Sequence, residues 1–491
     1  MFESAEIGNK IDKATYKKEA PVVRETLLRL QHQLATSNLS LIIIVAGFEG
    51  AGKGDTVNLL LEWMDARGIQ THAMSKPTDE ERDHPSIWRF WRRLPAAGRT
   101  AIFFAAWYQD WIQKRVHKDI RHEDFTIALD RIEDFERMLS RDNTIIVKFW
   151  LHMTKAAQKA RFKELEAHSQ TRWKVTKGDW KLHKKYGAIR RFAEQALRKT
   201  NIADAPWHIV EAVDQCYRDL TVARTLVQAL EQRVAQTAPK APKTVTKLPL
   251  PVPKPNNILR RLNLRLSLSE KEYKKRLLKA HSRLNLLTRK LGKDRQRLLI
   301  VAFEGPDGAG KGGTIRTIIP ALDARLYREI SIAAPTDEER AHPYLWRFWR
   351  DLPRLGRITI WDRTWYGRVL VERLEGFAAQ PDWQRAYEEI NAFEDELIDF
   401  GAILLKFYLV ISSTEQLRRF KERRTTPYKQ YKLTQEDWRN RKKWDAYEAA
   451  ACDMIEHCST ENAPWVLVEG EDKKYARIKV LETICDRLEN A

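Results

Sequence analysis

Short apolar runs separated by long polar helical stretches form the main hydrophobic pattern of this chain. In its second half, an amphipathic helix with leucines at helical spacing precedes the apolar run LLIVAFEG at 298–305, which leads into glycines. Further apolar runs at 357–362, 402–408 and 465–469 predict additional strands. Because strands that alternate with helices favour parallel pairing, the pattern predicts an α/β fold with a parallel sheet covered by helices on both faces.

The chain is a tandem repeat of one domain. Residues from about Gly47 to Glu211 match the residues 258 positions later without a gap, and five tryptophan positions coincide. Between the copies, the stretch 238–257 has six prolines and predicts a semi-extended linker. We therefore predict one domain at 1–237 and a second at 258–491.

Composition narrows the class of protein. Among 491 residues, 43% are hydrophobic and 31% are charged, which excludes a mainly disordered chain. The formal net charge of +20 predicts attraction to polyanions without saying which polyanion. Four cysteines show neither a CxxC pair nor zinc-ligand spacing, so we predict reduced thiols in a cytoplasmic protein. No signal peptide or membrane-spanning run is predicted.

A glycine-rich loop follows the first predicted strand of the second copy. Its sequence, GPDGAGK, has the spacing of a phosphate-binding loop, although a glycine-rich turn without a ligand is the alternative. Glycines let backbone N–H groups converge on phosphate oxygens, and a lysine neutralises phosphate charge. Gly312 stands where Ser or Thr normally binds magnesium, which predicts that carboxylates hold Mg²⁺ instead. The predicted loop residues are Gly305, Gly308, Gly310, Lys311 and Gly312.

Two carboxylates are candidate magnesium ligands. Asp362 ends a predicted strand, where an aspartate meets the metal in phosphate-loop enzymes. Asp307 lies inside the loop, and a carboxylate in an anion-binding loop is costly unless a cation intervenes. The alternative for Asp307 is a turn-forming aspartate after proline.

Three motifs resemble those of polyphosphate kinase family 2: GPDGAGKGGT, PTDEERAHPYLWRFWRDLP and WDRTWYGR, in this order. The resemblance covers both copies and implies a P-loop kinase fold, similar to thymidylate kinase, with a helical lid. It also implies Mg²⁺-dependent transfer of the terminal phosphoryl group of inorganic polyphosphate to a nucleotide. The fused two-copy form resembles the class that converts AMP to ADP, with ADP or GDP as the alternative acceptors. By resemblance, Asp307 and Lys311 act in the loop, and Asp362 with Arg363 forms a second acidic motif.

A basic hairpin is the predicted lid. The segment at 417–424 predicts a helix, a break follows at 425–427, and Thr434 with Asp437 predicts a capping box. A hinged basic hairpin suits a long polyanion, whereas a solvated helix face is the alternative. The predicted polyphosphate contacts are Arg419, Arg423, Arg424, Lys429 and Lys432.

The first copy lacks the second acidic motif. Phe104 stands at the position of Asp362, while Glu49 replaces Asp307 and Lys53 keeps the lysine position. Without the carboxylate at the strand end, we expect no useful turnover from the first copy. Activity is therefore predicted to belong to the second.

Segments that both copies share are weaker candidates for chemistry. PTDEER and WRFWR occur in each copy, so core packing and ion pairing are as good an explanation as substrate binding. On that footing, Asp337 and Arg347 are candidate contacts for the acceptor nucleotide.

The predicted chemistry needs no general base, because a phosphate monoester is already largely ionised at pH 7. The rival classes are an ATP-dependent nucleotide kinase and a nucleic-acid-binding protein attracted by charge. The chain has no base-reading module, and the absent magnesium Ser/Thr argues against ATP as donor. We expect a homo-oligomer that acts on polyphosphate and AMP or ADP, with neither nucleic acid nor membrane as a partner.

Overall fold

The computed structural model of the protein describes residues 1–104, 106–237, 250–255, 257–427, 430 and 433–491. Most of the predicted linker, at 238–249 and 256, lies outside the described residues, and the predicted domain boundaries stay a prediction. The chain forms two compact units. Their ranges are Met1–Lys76, Arg89–Lys243 and Pro335–Trp346 for the first unit, and Pro77–Trp88, Thr244–Ala334 and Arg347–Ala491 for the second.

Each copy of the sequence builds one five-stranded sheet in which every strand pairing is parallel. The strands are β1 (Ser40–Gly47), β2 (Ile69–Ala73), β3 (Thr100–Phe104), β4 (Thr144–His152), β5 (Trp207–Glu211), β6 (Leu298–Glu304), β7 (Tyr327–Ser331), β8 (Ile358–Asp362), β9 (Ala402–Val410) and β10 (Trp465–Glu469). Their order is β2-β3-β1-β4-β5 in the first sheet and β7-β8-β6-β9-β10 in the second. The predicted α/β fold is confirmed, and so are the four strands predicted for the second copy.

Helices connect the strands. Those of the first copy are α1 (Lys13–Ala35), α2 (Lys53–Trp63), α3 (Asp79–Arg82), α4 (Trp88–Trp91), α5 (Trp107–His117), α6 (His122–Arg141), α7 (Lys155–Ala167), α8 (Lys177–Lys184), α9 (Tyr186–Lys199) and α10 (Gln215–Thr237). Those of the second are α11 (Glu270–Asp294), α12 (Lys311–Ile318), α13 (Asp337–Arg340), α14 (Trp346–Arg350), α15 (Val371–Glu375), α16 (Gln380–Asp399), α17 (Ser413–Thr425), α18 (Gln435–Lys442), α19 (Trp444–Cys458) and α20 (Lys473–Glu489). Among the described residues, no helix is both long and apolar enough to cross a bilayer.

The core of the second unit forms around strand β6. All seven residues of β6 are buried, because β8 and β9 flank it in the sheet and helices cover its faces. Within this sheet, Phe303 of β6 pairs with Asp362 of β8. Both strands therefore end at the same edge, where ligands bind in open α/β sheets.

The second unit also contains the segment at 77–88, which comes from the first copy of the sequence. Within this unit, Asp83 forms ion pairs with Arg354 at 2.6 Å and with Arg295 at 2.8 Å. The ring of His84 lies 3.3 Å, through Nε2, from the carbonyl oxygen of Leu352. The segment is thus tied into the second unit by charge and by hydrogen bonding.

Candidate active site

The phosphate loop joins β6 to α12. Gly305, Gly308 and Gly310 all have left-handed backbone conformations, with φ of 138°, 84° and 108°. At Gly305 a Cβ atom would lie 2.5 Å from the carbonyl oxygen of Leu409, so only glycine fits there. The loop ends at the first residue of α12, where unpaired N–H groups and the helix dipole favour an anion.

Lys311 crosses the base of this loop. Its side chain is largely buried, and Nζ donates a hydrogen bond to the carbonyl oxygen of Gly305 at 2.6 Å. The ammonium group is therefore held at the loop from inside the unit. This is where the sequence predicted a cation for phosphate.

The Asp362 carboxylate lies beside the start of α12. A Cβ atom on Gly312 would lie 3.6 Å from Asp362 Oδ2, so the carboxylate faces the position that Ser or Thr takes in other phosphate-loop enzymes. None of the described residues donates a hydrogen bond to this carboxylate. It is therefore available to a cation at the loop.

Asp307 has a different environment. Its Oδ1 accepts from Arg363 Nη2 at 3.0 Å, and its Oδ2 accepts from Asn440 Nδ2 at 2.9 Å. Burial opposes ionisation of this carboxyl, but the charges of Lys311 and Arg363 outweigh it and lower the pKa of Asp307. Asp307 is thus an ionised group that ties the loop to Arg363 and to α18.

The residues present fit a magnesium ion whose coordination is completed by phosphate oxygens of the substrates. Mg²⁺ in such sites commonly takes one or two carboxylates, with phosphate oxygens and water as the other ligands. Asp362 supplies one open carboxylate, whereas each oxygen of Asp307 already accepts one hydrogen bond. Within the described ranges, no group of three or more His, Cys, Asp or Glu side chains forms a protein-only metal cage.

Two neighbouring cavities adjoin the loop, and residues such as Gly308, Gly310 and Arg423 line both of them. The loop-front cavity has a volume of about 390 Å³, and its lining includes Asp307, Lys311, Asp362, Arg363 and Asp437. The second, which we call the basic basin, has a volume of about 430 Å³ and lies between the loop, α17 and the start of α20. The charged residues that line the basin are Arg316, Arg419, Glu422, Arg423, Lys473 and Arg477.

The helices predicted to form the lid are present as α17 and α18, whereas their role as a lid stays a prediction. The Thr434 capping box is confirmed, because the Thr434 hydroxyl accepts from Asp437 N–H at 3.3 Å and the Asp437 carboxylate accepts from Thr434 N–H at 2.7 Å. Arg423 lines both cavities, and Arg424 is exposed. Lys429 and Lys432 lie outside the described residues.

Arg419 is placed differently from the other lid arginines. It is 3% exposed, and its Nη1 donates to the carbonyl oxygens of Gly308 and Ala309 at 2.9 Å each. Its Nη2 donates to the carbonyl oxygen of Gly470 at 2.5 Å, and its Nε to the carboxylate of Glu415. This environment favours a role in fixing the loop over the direct polyphosphate contact predicted from the sequence.

The two candidate acceptor contacts belong to different units. Asp337 is grouped with the first unit, where its carboxylate is highly exposed and pairs with Arg340. Arg347 is grouped with the second unit, and its Nη1 donates to the carbonyl oxygen of Ala333 at 3.2 Å. An acceptor role for either residue stays a prediction.

The phosphate loop of the first unit is filled by its own side chains. Lys53 pairs with Glu49 at 2.9 Å and lies over the ring of Phe104, 5.6 Å from its centroid. The Arg218 guanidinium lies so close to Gly52 that a Cβ atom there would be 2.1 Å from Nη1. Arg218 is itself buried and paired with Asp219 at 2.9 Å. An anion at this loop would therefore compete with Glu49 for Lys53 and with Asp219 for Arg218.

The surroundings of that loop also differ in charge. The basic basin of the second unit has five cations and one carboxylate in its lining. At the corresponding positions, the first copy has two cations and three carboxylates. This count includes Asp55 and Arg218, which stand where the second copy has the uncharged Gly313 and Ala476. These first-copy residues are Asp55, Asn58, Arg161, Glu164, Leu165, Gln215, Arg218 and Asp219.

Several residues of the site were not identified from the sequence. Glu304 and Asn440 contact the turn after β8 and the loop, and Arg316, Lys473 and Arg477 line the basin. One signal was available for all five: each differs between the two copies, as Ala46, Leu182, Asn58, Gln215 and Asp219 show. The comparison that revealed Phe104 would have found them too.

The family model of polyphosphate kinase 2 matches residues 10–238 and 267–491, which covers both copies. The chain belongs to the polyphosphate kinase 2 family. It is 49% identical to a polyphosphate:AMP phosphotransferase of Pseudomonas aeruginosa, with 100% of this chain and 99% of that protein covered. A polyphosphate:AMP phosphotransferase of Pseudomonas syringae is 46% identical over the same shares. A crystal structure described as a polyphosphate kinase 2 from Pseudomonas aeruginosa superposes with a TM-score of 0.90 at 46% identity, covering 100% of this chain and 99% of that one.

Proposed function

We propose that this protein transfers the terminal phosphoryl group of inorganic polyphosphate to a nucleoside monophosphate, chiefly AMP, and so makes ADP. Family membership and full-length similarity to two proteins named polyphosphate:AMP phosphotransferase support the proposal. The observation that carries it is the open Asp362 carboxylate beside Gly312, at the start of α12. It lies where phosphoryl-transfer enzymes need a divalent cation.

The basic basin supports polyphosphate as the donor. Apart from Arg419, which binds loop carbonyl oxygens, its four cations can contact several phosphates of a chain at once, whereas ATP offers three. An adenine ring would gain from an aromatic or broad apolar surface, and the described lining of the basin includes no aromatic side chain. A polyanion is therefore the better match for this cavity.

The loop-front cavity is where we place the acceptor. It shares Lys311 and Asp362 with the loop, and Arg363 lines it as a further cation. The two cavities share five lining residues, so an acceptor phosphate here would lie next to a donor phosphate held at the loop, where its oxygen could align with the leaving oxygen. This is the in-line arrangement that phosphoryl transfer needs.

The side chains would act by alignment and charge. Lys311 and the N–H groups of the loop would hold the terminal phosphate, and Arg363 would offset the repulsion between donor and acceptor. Asp362 would hold Mg²⁺, which would supply further positive charge at the transferred group. The loop Asp307 could add a second carboxylate ligand through its remaining lone pairs, because each of its oxygens accepts only one hydrogen bond. No side chain needs to remove a proton, because the acceptor phosphate is already ionised near neutral pH.

One assay tests this function. Purified protein with Mg²⁺ is given polyphosphate or ATP as donor, and AMP, ADP, GMP or GDP as acceptor, each pair separately. We expect ADP from polyphosphate and AMP as the fastest product. ATP formed from ADP at an equal or higher initial rate would assign the enzyme to diphosphate acceptors, and faster AMP phosphorylation by ATP would refute polyphosphate as the donor.

A matched pair of lysine variants tests which copy is active. Lys311→Ala removes the loop cation beside the open carboxylate, whereas Lys53→Ala removes one that faces Phe104. We expect the first variant to lose transfer and the second to keep most of it. Equal losses would contradict a silent first copy. The cytoplasmic location and the homo-oligomeric state stay predictions.

A further inference from the structure

A buried carboxyl group at the end of β6 has no part in the function proposed above. Glu304 is 5% exposed, and its Oε1 accepts two hydrogen bonds from Thr364, from N–H and from Oγ1, each at 2.8 Å. Burial raises the pKa of Glu304 to about 7, although the charge of Lys311 partly opposes that rise. Burying a carboxyl group costs free energy, which its two hydrogen bonds offset only in part. This cost suggests that the contact with Thr364 has a role beyond stability.

Those hydrogen bonds hold the turn that carries the second acidic motif. Thr364 follows Asp362 and Arg363 directly, and its hydroxyl also accepts from Tyr366 N–H at 3.2 Å. Arg363 has a φ of 64°, a left-handed conformation that costs about 1–2 kcal/mol for a residue with a side chain. Something must hold this turn in place, and Glu304 contacts it from the neighbouring strand.

The contact between Glu304 and Thr364 has no equivalent in the first copy. Glu304 corresponds to Ala46 and Thr364 to Ala106, so the first copy has lost both partners together with the strand-end carboxylate.

Another buried network nearby is kept in both copies. In the second unit, Lys406 Nζ pairs with Glu394 at 2.6 Å, and the hydroxyl of Tyr366 donates to the same carboxylate. In the first unit, Lys148 pairs with Glu136 at 2.6 Å in the same way. A contact needed only for folding would be expected in both copies, as this one is. The pair of Glu304 and Thr364 instead occurs only in the copy that also has Asp362.

We propose that Glu304 and Thr364 are positioning residues, which hold Asp362 and Arg363 in register with the phosphate loop. The proposal rests on the proposed phosphoryl transfer. Glu304 joins the end of β6 to the turn after β8, so the loop and the acidic motif move as one body. The acceptor oxygen does this work, and the negative charge is not required for it.

Four variants test the proposal. Glu304→Ala and Thr364→Ala install the first-copy residues, whereas Glu304→Gln keeps an acceptor oxygen and Thr364→Ser keeps the hydroxyl. Displacement of reacting groups by about 1 Å costs on the order of a hundredfold in rate. We therefore expect kcat to fall about 10- to 100-fold in the alanine variants, with the KM for AMP nearly unchanged, while the two conservative variants stay within about threefold of wild type.

A buried threonine away from the site is the control. Thr288 on α11 is 1% exposed and donates to the carbonyl oxygen of Leu284 at 2.8 Å. We expect Thr288→Ala to lower the thermal midpoint, measured without metal, about as much as Thr364→Ala does, and to leave kcat unchanged. The double variant of Glu304→Ala with Thr364→Ala should be no slower than the slower single variant, because both changes remove one contact.

Several results would overturn the proposal. These are an unchanged kcat in Glu304→Ala, an equal loss in Glu304→Gln, and a loss in Thr288→Ala as large as that in Thr364→Ala. Wild type in the same assay keeps the two proposals apart. If wild type used ATP in place of polyphosphate, the proposed donor would fail, and the variants would still be compared with ATP.

Discussion

The charge of the basic basin offers a direct test of where the donor chain binds. Lys473 and Arg477 line the basin and do not line the loop-front cavity. Arg477 Nη2 lies 3.3 Å from the position that a Cβ atom would take on Gly313, next to the start of α12. The double variant Lys473→Gln with Arg477→Gln removes two positive charges from the basin and none from the loop-front cavity.

The size of the effect follows from electrostatics. An opposite charge about 4 Å away contributes about 1 kcal/mol in water, so losing two such contacts weakens polyphosphate binding about thirtyfold at low salt. Each phosphate contact of a polyanion also contributes about 0.7–0.9 to the slope of log affinity against log salt. Between about 50 and 200 mM salt, wild type should therefore lose about tenfold more affinity than the double variant.

The measurement is the KM for polyphosphate and for AMP at several salt concentrations. The matched control is Lys279→Gln with Lys290→Gln, which removes two exposed lysines from α11 and changes the net charge equally. We expect the control to keep the salt slope of wild type, and the KM for AMP to be unchanged in both double variants. A control that flattens the slope as much as the basin variant would show that net charge, and not the basin, attracts the donor. An unchanged slope in the basin variant would refute the assignment of the basin.

Three further predictions concern single groups. Asp362→Asn should abolish transfer, because an amide does not neutralise a cation at the loop, and residual turnover near the wild-type kcat would contradict this role. Arg218→Ala should lower the free energy of unfolding in urea by about 3–5 kcal/mol, because it removes the ion-pair partner of the buried Asp219. The double variant Arg218→Ala with Asp219→Ala should recover part of that loss, because no charge is then left buried without a partner. Because the pKa of Glu304 is raised to about 7, the unfolded chain ionises first and the folded state loses stability as the pH rises from about 4.5 to 7. In urea unfolding, the stability of Glu304→Gln relative to wild type should therefore rise by up to about 3 kcal/mol between about pH 4.5 and pH 7, and a fall over this range would contradict the sign.

The sequence predicts the central strands and the loop because their signals are local. A continuous apolar run followed by glycines and lysine leaves few alternatives to β6, the loop and α12. Strand β7 was missed, since its five residues are intermediate or exposed and lie at the sheet edge, where no apolar run is needed. Local pattern therefore identifies buried strands better than edge strands.

The roles of single arginines depend on packing that the sequence does not contain. Arg419 and Arg423 are four residues apart on α17 and were predicted as equivalent polyphosphate contacts. In the structure Arg419 is buried against loop carbonyl oxygens, whereas Arg423 lines both cavities. The contact between Glu304 and Thr364 joins residues 60 positions apart, and only the sheet register brings them together.

The short segment at 77–88 makes the second unit depend on the first copy of the sequence. The first copy has Phe104 where the second has Asp362, yet Asp83 of the first copy pairs with Arg295 and Arg354 in the unit that holds Asp362. A deletion that discarded the first copy would leave those arginines without Asp83 and the Leu352 carbonyl without His84. The second copy expressed alone should therefore unfold more easily than the full chain, because it would lack these contacts.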